Sequence, residues 1–446
     1  MISRLTSKSL LALAVAATLL AGSGVATAAG ATAGPSPSPT GSPGVEIPAT
    51  PAGQQLRWVL DAIGRAPVPE SEIKEHIADS YLAAVPPAEV NTFLRQLSGL
   101  TLNAVDSSRP KQIEVTATLA GHKFTVTLGV DGTGKIDLLG AEPILPLPPE
   151  PKTWKELDER LAKVAPRHAY LAAELKGSRI RPIHAIGQNT DRPIGSMFKL
   201  YILGTLAKQI RQGRLSWNTQ LTITPELKSL PSGELQDRPN GSKVSVLEAA
   251  TLMISISDNT GTDMLLHKVG KKAVEKTMRA WGARDKRNFP VLSTREMFTL
   301  KGADYPKHTK AYLALGTAAK RAYLRDTIGK LPLTSITPWL KPPRELDTIE
   351  WFASPTDIAR AHAELRRFTD PNVGRVMSVN PGSLAEGTWY KGGSEVGLLA
   401  LGHSYRAANG KVYVITTLAA DPSAPFPATA TPELVSLTRG AVKLAK

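Results

Sequence analysis

Five prolines, Pro143, Pro146, Pro148, Pro149 and Pro151, interrupt the chain between two segments with different apolar patterns. A stretch this dense in proline can neither continue a helix nor lie in a central strand. A hinge is therefore expected at 143–152. Upstream, apolar residues recur at helical spacing in three stripes: Leu56, Val59, Leu60 and Ile63; Ile73, Ile77, Tyr81 and Leu82; Val90, Phe93, Leu94 and Leu97. The period then falls to two, through Ile113, Val115, Ala117 and Leu119 and again through Phe124, Val126, Leu128 and Val130, with Asp131-Gly132 as a turn signal. Helices followed by an antiparallel sheet predict a small α+β domain over 55–142. Residues 153–446 open with an amphipathic segment (Trp154, Leu157, Leu161, Val164) and two strand-like runs, His168–Leu175 and Arg179–Ile186. They close with Val396–Tyr405, an Ala407-Ala408-Asn409-Gly410 turn, Val412–Leu418 and a helix over Pro432–Leu444. Strands first and last with helices between them predict a sheet whose edges come from both ends of this segment.

The start of the chain reads as an export signal. Arg4 and Lys8 precede the apolar run Leu10–Leu20, and Ala26-Thr27-Ala28 has the small-x-small form of a cleavage site. A signal peptide is thus expected over 1–28, cut near Ala28, with Arg4 and Lys8 too far apart for a twin-arginine signal. The apolar run is shorter than the roughly 20 residues of a membrane span, so a secreted protein without a membrane anchor is expected. Residues 29–54, rich in Ala, Gly, Pro, Ser and Thr, read as a flexible tether. The chain has no cysteine, which excludes disulfides, thiolate metal sites, a cysteine nucleophile and a lipid-bearing cysteine. Its formal charge is +15, but the basic residues are dispersed and not interleaved with aromatics. That pattern argues against nucleic acid and favours weak attraction to the anionic cell envelope or steering of carboxylate substrates.

Three short motifs carry the chemistry. Ser196-Met197-Phe198-Lys199 is an S-x-x-K sequence at the start of an apolar helix. Residues three apart share a helix face, so the Lys199 ammonium can approach the Ser196 hydroxyl. A serine needs such help, because it is a poor nucleophile unassisted. Ser257-Asp258-Asn259 lies between the apolar runs Leu247–Ile254 and Thr260–Val269. There the Ser257 hydroxyl could relay a proton to a leaving group and the Asn259 amide could hold a substrate carbonyl or the catalytic lysine, while the triplet alone also suits a helix cap. Lys391-Gly392-Gly393 begins the C-terminal strand pair, where glycine lets a substrate approach the backbone. Alone, it also suits an ordinary turn. The eight histidines are scattered, and the G-x-S-x-G, H-E-x-x-H, phosphate-loop and dinucleotide patterns are absent. No metal and no cofactor are implied.

Taken together and in this order, S-x-x-K, S-D-N and K-G-G resemble the motif set of the penicillin-recognising serine enzymes, in particular class A β-lactamases. The resemblance spans 153–446 and implies a β-lactamase/D,D-peptidase-like domain, an antiparallel sheet flanked by helices. The first domain resembles the cystatin-like or NTF2-like module that precedes some actinobacterial β-lactamase-like hydrolases, including the one encoded with clavulanic-acid biosynthesis. The resemblance implies that Ser196 attacks a lactam or ester carbonyl and Lys199 serves as base. Ser257 and Lys391 would assist proton transfer and carboxylate recognition. It also implies that Asn259 binds substrate, and that the backbone around Gly393 and Ser394 completes an oxyanion hole with the N–H of Ser196.

The pattern departs from class A enzymes at the deacylation step. Those use a glutamate in an E-x-x-x-N loop to activate water. Here Glu296 is near the expected place, but Leu300 stands where the asparagine belongs. Glu296 is the candidate base. The basic, proline-containing stretch before Lys391 suggests a lid or insertion over 295–350. Arg295, Lys301 and Arg344 within it are either carboxylate binders or solvated surface cations. The expected activity is hydrolysis of β-lactams or small esters, that is, of a small-molecule substrate. A D,D-peptidase acting on peptidoglycan, a penicillin-binding sensor that stays acylated and a structural envelope protein remain alternatives.

Overall fold

The structure, a computed structural model, describes residues 45–83, 85–333 and 342–446. The expected signal peptide, most of the expected tether and residues 334–341 of the expected insertion lie outside the described residues. Two compact units divide the chain at 146/147. Among the described residues, no helix is long and apolar enough to cross a membrane.

Among the described residues, the first unit has four helices, α1 (Pro51–Arg65), α2 (Glu70–His76), α3 (Asp79–Leu82) and α4 (Pro87–Gln96). Thr50 caps α1 by accepting from the Gly53 amide at 3.1 Å, with Pro51 at the first helical position. An antiparallel sheet follows, in the order β1 (Thr101–Ser108), β2 (Gln112–Leu119), β3 (His122–Val130) and β4 (Ile136–Pro143). The alternating residues of β2 and β3 pack with Leu56, Val59 and Ile63 of α1 in one core. Sequence periodicity finds β2 and β3 but not β1, whose pairing with β2 shifts register twice. Such irregularity erases the alternation by which a strand is read.

The second unit contains α5 (Trp154–Val164), β5 (Arg167–Lys176), β6 (Arg179–Ile186), α6 (Lys199–Arg211), α7 (Val246–Ser255), α8 (Asn259–Val269), α9 (Lys271–Ala280) and α10 (Thr294–Gly302). It continues through α11 (Lys307–Leu313), α12 (Thr317–Asp326), α13 (Pro355–Leu365), α14 (Pro371–Ser378), β7 (Trp389–Glu395), β8 (Leu398–Arg406), β9 (Val412–Ala420) and α15 (Ala430–Leu444). The sheet order is β7-β8-β9-β5-β6, antiparallel throughout. Both faces are covered. Tyr170 and Ala172 of β5 pack with Leu157 of α5 and Leu434 of α15, whereas Leu171 and Ala173 pack with Ala359 and Ala363 of α13. This two-sided burial explains why β5 reads as a nearly continuous apolar run.

Lys391-Gly392-Gly393 does not begin the C-terminal strand pair. It lies inside a third strand, β7, at the sheet edge. Its Trp-Tyr-Lys-Gly-Gly-Ser-Glu sequence has no apolar alternation, because one side of the strand serves the site and not a core. The start of the expected insertion is helical, through α10, α11 and α12.

Candidate active site

Ser196 lies in a short 3₁₀ turn, Gly195–Phe198, that leads directly into α6. Gly195 has φ +50°, in the left-handed region where a side chain is disfavoured. Strand β7 crosses this turn closely. A Cβ on Gly393 would lie 2.1 Å from the Ile194 carbonyl oxygen and 2.8 Å from the Ser196 amide nitrogen. A Cβ on Gly195 would stand 3.3 Å from the Ser394 nitrogen. Two glycines thus let the strand backbone rest on the turn, with the Ser196 and Ser394 amides close together. Paired amides of this kind can hold a developing oxyanion. The turn is braced by Phe198 stacking on Trp351, with centroids 3.7 Å apart, and by Ile194 N–H donating to the Trp351 carbonyl at 2.8 Å.

Lys199, at the start of α6, is fully buried. Its ammonium donates to the Ser257 carbonyl (2.7 Å), the Ser257 hydroxyl (2.9 Å) and Asn259 Oδ1 (2.7 Å). An ammonium has three protons, so the S-D-N segment takes up all of its donor capacity. Lys391 of β7 approaches from the other side, with Nζ 3.2 Å from the Ser257 hydroxyl and 2.8 Å from its neighbour's carbonyl, Gly392 O. Burial pushes Lys391 down to about 7. Burial, reinforced by the nearby charge of Lys391, holds Lys199 well below the ordinary lysine range, against the opposing pull of Asp258 and Asp263. A lysine with so low an affinity for its proton can act as a base near neutral pH.

The S-D-N loop divides its labour. Asp258 is the helix cap, accepting from Gly261 N–H at 2.7 Å and from Glu234 and Leu235 N–H at 2.7 and 3.0 Å. Ser257 and Asn259 instead face Lys199. Ser257 adopts φ +60°, costly for a residue with a side chain. Its carbonyl is held by Lys199 and by the Ser232 hydroxyl at 2.8 Å. Asn259 is clasped through its amide to Ser232 O (2.8 Å) and through Nδ2 to Leu230 O (3.0 Å). The capping reading of the triplet thus applies to Asp258, while Ser257 and Asn259 hold the Lys199 ammonium.

Glu296 is not brought to this site. Its carboxylate closes the capping box at the start of α10, accepting from Ser293 N–H at 2.8 Å, and is paired with Lys271. It lines a different cavity from the one that Ser196 lines. A glutamate at the third helical position completes a capping box, which gives this residue a structural role away from Ser196. The cationic candidates are corrected as well. Arg295 donates to the Pro225, Lys228 and Leu331 carbonyls, and Arg344 to the Lys301 carbonyl. Lys301 is not a surface residue; it is fully buried.

Lys301 belongs to a group that sequence reasoning missed. It sits 2.8 Å from both carboxylate oxygens of Glu395 and 3.2 Å from Glu350. Both acids line the small cavity that also contains Ser196, Asn259, Phe298 and Ser394. Only Glu395 carried a signal, as the residue after K-G-G-S; nothing marks Glu350. Among the described residues, no cluster of three or more His, Asp or Glu could hold a metal ion.

Residues 155–322 match the β-lactamase enzyme family, and residues 47–136 match the N-terminal region of the ORF 12 gene product. No curated protein sequence matches the chain. Among solved structures it is similar to PBP-A, at 18% identity over 67% of this chain and 99% of that one, with a TM-score of 0.44. It is also similar to the β-lactamase from Sphaerobacter thermophilus, at 17% identity over 66% and 97% of the two chains, TM-score 0.46. For the class A β-lactamase from Mycobacterium abscessus the values are 14% identity, 65% and 98%, and 0.45.

Proposed function

We propose that this chain, whose residues 155–322 match the β-lactamase enzyme family, is a serine hydrolase of the class A β-lactamase-like type that forms an acyl-enzyme on Ser196 from β-lactams or small carboxylic esters. The observation that carries this reading is the Ser257 hydroxyl, shared by two buried lysines beside the Ser196 turn. Ser196 Oγ attacks the carbonyl carbon, and its proton passes to neutral Lys199. The oxyanion is held by the amides of Ser196 and Ser394, and the bond to the leaving nitrogen or oxygen breaks. The Ser257 hydroxyl delivers a proton to that leaving atom and is replenished from Lys199. Lys391, when charged, draws the substrate carboxylate to the same place.

The decisive experiment is intact-mass analysis after exposure to a fluorescent penicillin and a chromogenic ester, for wild type and Ser196→Ala. One acyl adduct on wild type and none on the variant supports the reading; equal labelling and turnover by the variant overturns it. The engagement of Glu296 in a helix cap favours a second reading, a penicillin-binding protein with slow release. The acyl-enzyme lifetime in the same experiment separates the two.

Export through the general secretion route is part of the proposal, supported by Arg4, Lys8, the Leu10–Leu20 run and the Ala26-Thr27-Ala28 site. Amino-terminal sequencing of protein from the culture medium tests it, with a start near Ala29 expected. The first unit is proposed as a packing or docking module of cystatin-like or NTF2-like type, a reading supported by its helices followed by a four-stranded sheet.

A further inference from the structure

We propose that Glu395, held with Glu350 by Lys301, is the base that activates the water which removes the acyl group from Ser196. This rests on the reading of Ser196 as the acylated residue. Three independent placements converge on it. Glu395 directly follows Ser394 on β7, the strand that lies against the nucleophile turn. Glu350 precedes Trp351, whose carbonyl holds Ile194 and whose ring stacks on Phe198. Lys301 reaches both acids from the last turn of α10, and all three side chains are nearly or wholly removed from solvent.

The cavity that Glu350 and Glu395 share with Ser196 offers about 10 Å³ to the centre of a water-sized molecule. That is roughly the room one water needs, in a site with several polar groups to bind it. Two acids and one lysine buried together are a costly arrangement for structure alone, since an apolar set of similar volume is often as stable. Burial keeps the Glu395 carboxyl well above the usual carboxylate range; Lys301 opposes this, and a hydrogen bond with Glu350 adds to it. A carboxyl raised toward neutral pH is a better proton acceptor once ionised than an ordinary one. Glu296 is spent on its helix cap, so these are the carboxylates that line the nucleophile's cavity.

The step balances within the site. The water oxygen bonds to the acyl carbon as one of its protons passes to the Glu395 carboxylate. The tetrahedral intermediate then collapses by breaking the bond from carbon to Ser196 Oγ. The proton held on Glu395 returns to that oxygen through the shared cavity, leaving a free acid and the starting serine.

The test follows the acyl-enzyme of the full-length protein after a pulse of fluorescent penicillin. It compares wild type, Glu395→Gln and Glu350→Gln by intact mass across pH. Labelling during the pulse doubles as a check of folding. Glu395→Gln is expected to acylate within a few-fold of wild type and to release the acyl group about 100-fold more slowly. Glu350→Gln should shift in the same direction by less. Wild-type release should accelerate as pH rises through an ionisation above the ordinary carboxylate range, and Glu395→Gln should lose that rise. A purely structural role for the cluster would lower the melting temperature and alter acylation without selectively slowing release. Unchanged lifetimes in both variants, or a wild-type adduct that is never released, overturn the proposal. Should Glu395→Gln fail to fold, Glu350→Gln and the wild-type pH profile decide, and a flat profile with an unchanged Glu350→Gln lifetime overturns it. No adduct on wild type is a different outcome, which overturns the Ser196 reading and this proposal with it.

Discussion

Lys199 and Lys391 donate to one and the same oxygen, the Ser257 hydroxyl, at 2.9 and 3.2 Å. A hydroxyl has two acceptor lone pairs and one proton. With both lone pairs engaged by the lysines, the proton of Ser257 is left for another acceptor, which in the proposed mechanism is the leaving group. Burial lowers the affinity of both lysines for a proton, and the charge of Lys391 lowers that of Lys199 further. The same contact therefore aims a proton donor and keeps a base.

Lys391 should give the enzyme a substrate-dependent pH response. Its affinity for a proton is centred at about pH 7, so it is charged below that value and neutral above it. Binding of an anionic β-lactam should weaken as pH rises through about 7, because the attraction to its carboxylate is lost. A neutral ester should show no matching rise in KM. Parallel KM profiles for the two substrates would refute the role of Lys391 in carboxylate recognition.

The same lysine should cost stability. In the unfolded chain it keeps its proton up to its ordinary value of 10.5, whereas in the folded protein it loses it at about 7. The unfolded state thus binds more protons between these values, and stability should rise with pH across that window. Lys391→Met should weaken acylation by an anionic β-lactam more than by a neutral ester, raise stability near neutral pH by about 0.5–2 kcal/mol and flatten the pH dependence. Urea titrations at two pH values within the window read both effects. A variant less stable than wild type, with the slope unchanged, contradicts the assignment.

Gly393→Ala should damage chemistry before it damages the fold. The added methyl would meet the Ile194 carbonyl at 2.1 Å and the Ser196 amide at 2.8 Å, so β7 must lift away from the nucleophile turn. Losing one oxyanion donor commonly costs about 100- to 1,000-fold in rate. Acylation should fall by that order, while circular dichroism stays native. An alanine variant that acylates at the wild-type rate would remove the Ser394 amide from the oxyanion site.

Glu296→Ala should leave the acyl-enzyme lifetime unchanged and lower stability by about 1 kcal/mol, the usual cost of a lost cap. The loss comes from its bond to Ser293 N–H and its pair with Lys271. A longer-lived acyl-enzyme in this variant would restore Glu296 as the deacylating base.

Much of this was legible in the chain. The helices and central strands of the first unit follow from apolar spacing, and the strands β5, β6, β8 and β9 from alternation or continuous apolar runs. β7 escaped, since glycines and charges replace the apolar pattern where a strand faces a site and not a core. Glu296 was misread for a related reason. Its distance along the chain from Asn259 suits a base, but a local pattern, Ser293 followed at the third helical position by a glutamate, serves a helix cap.

By itself the sequence singled out Ser196 and Lys199 as candidate nucleophile and base, because they are close in the chain and short motifs specify local geometry. Only the tertiary structure decided which carboxylates share the nucleophile's cavity. Lys301, Glu350 and Glu395 come from three distant elements, and no local rule links them. They meet because β7 lies against the Ser196 turn, the Trp351 segment is bonded to it at Ile194, and the end of α10 reaches both acids.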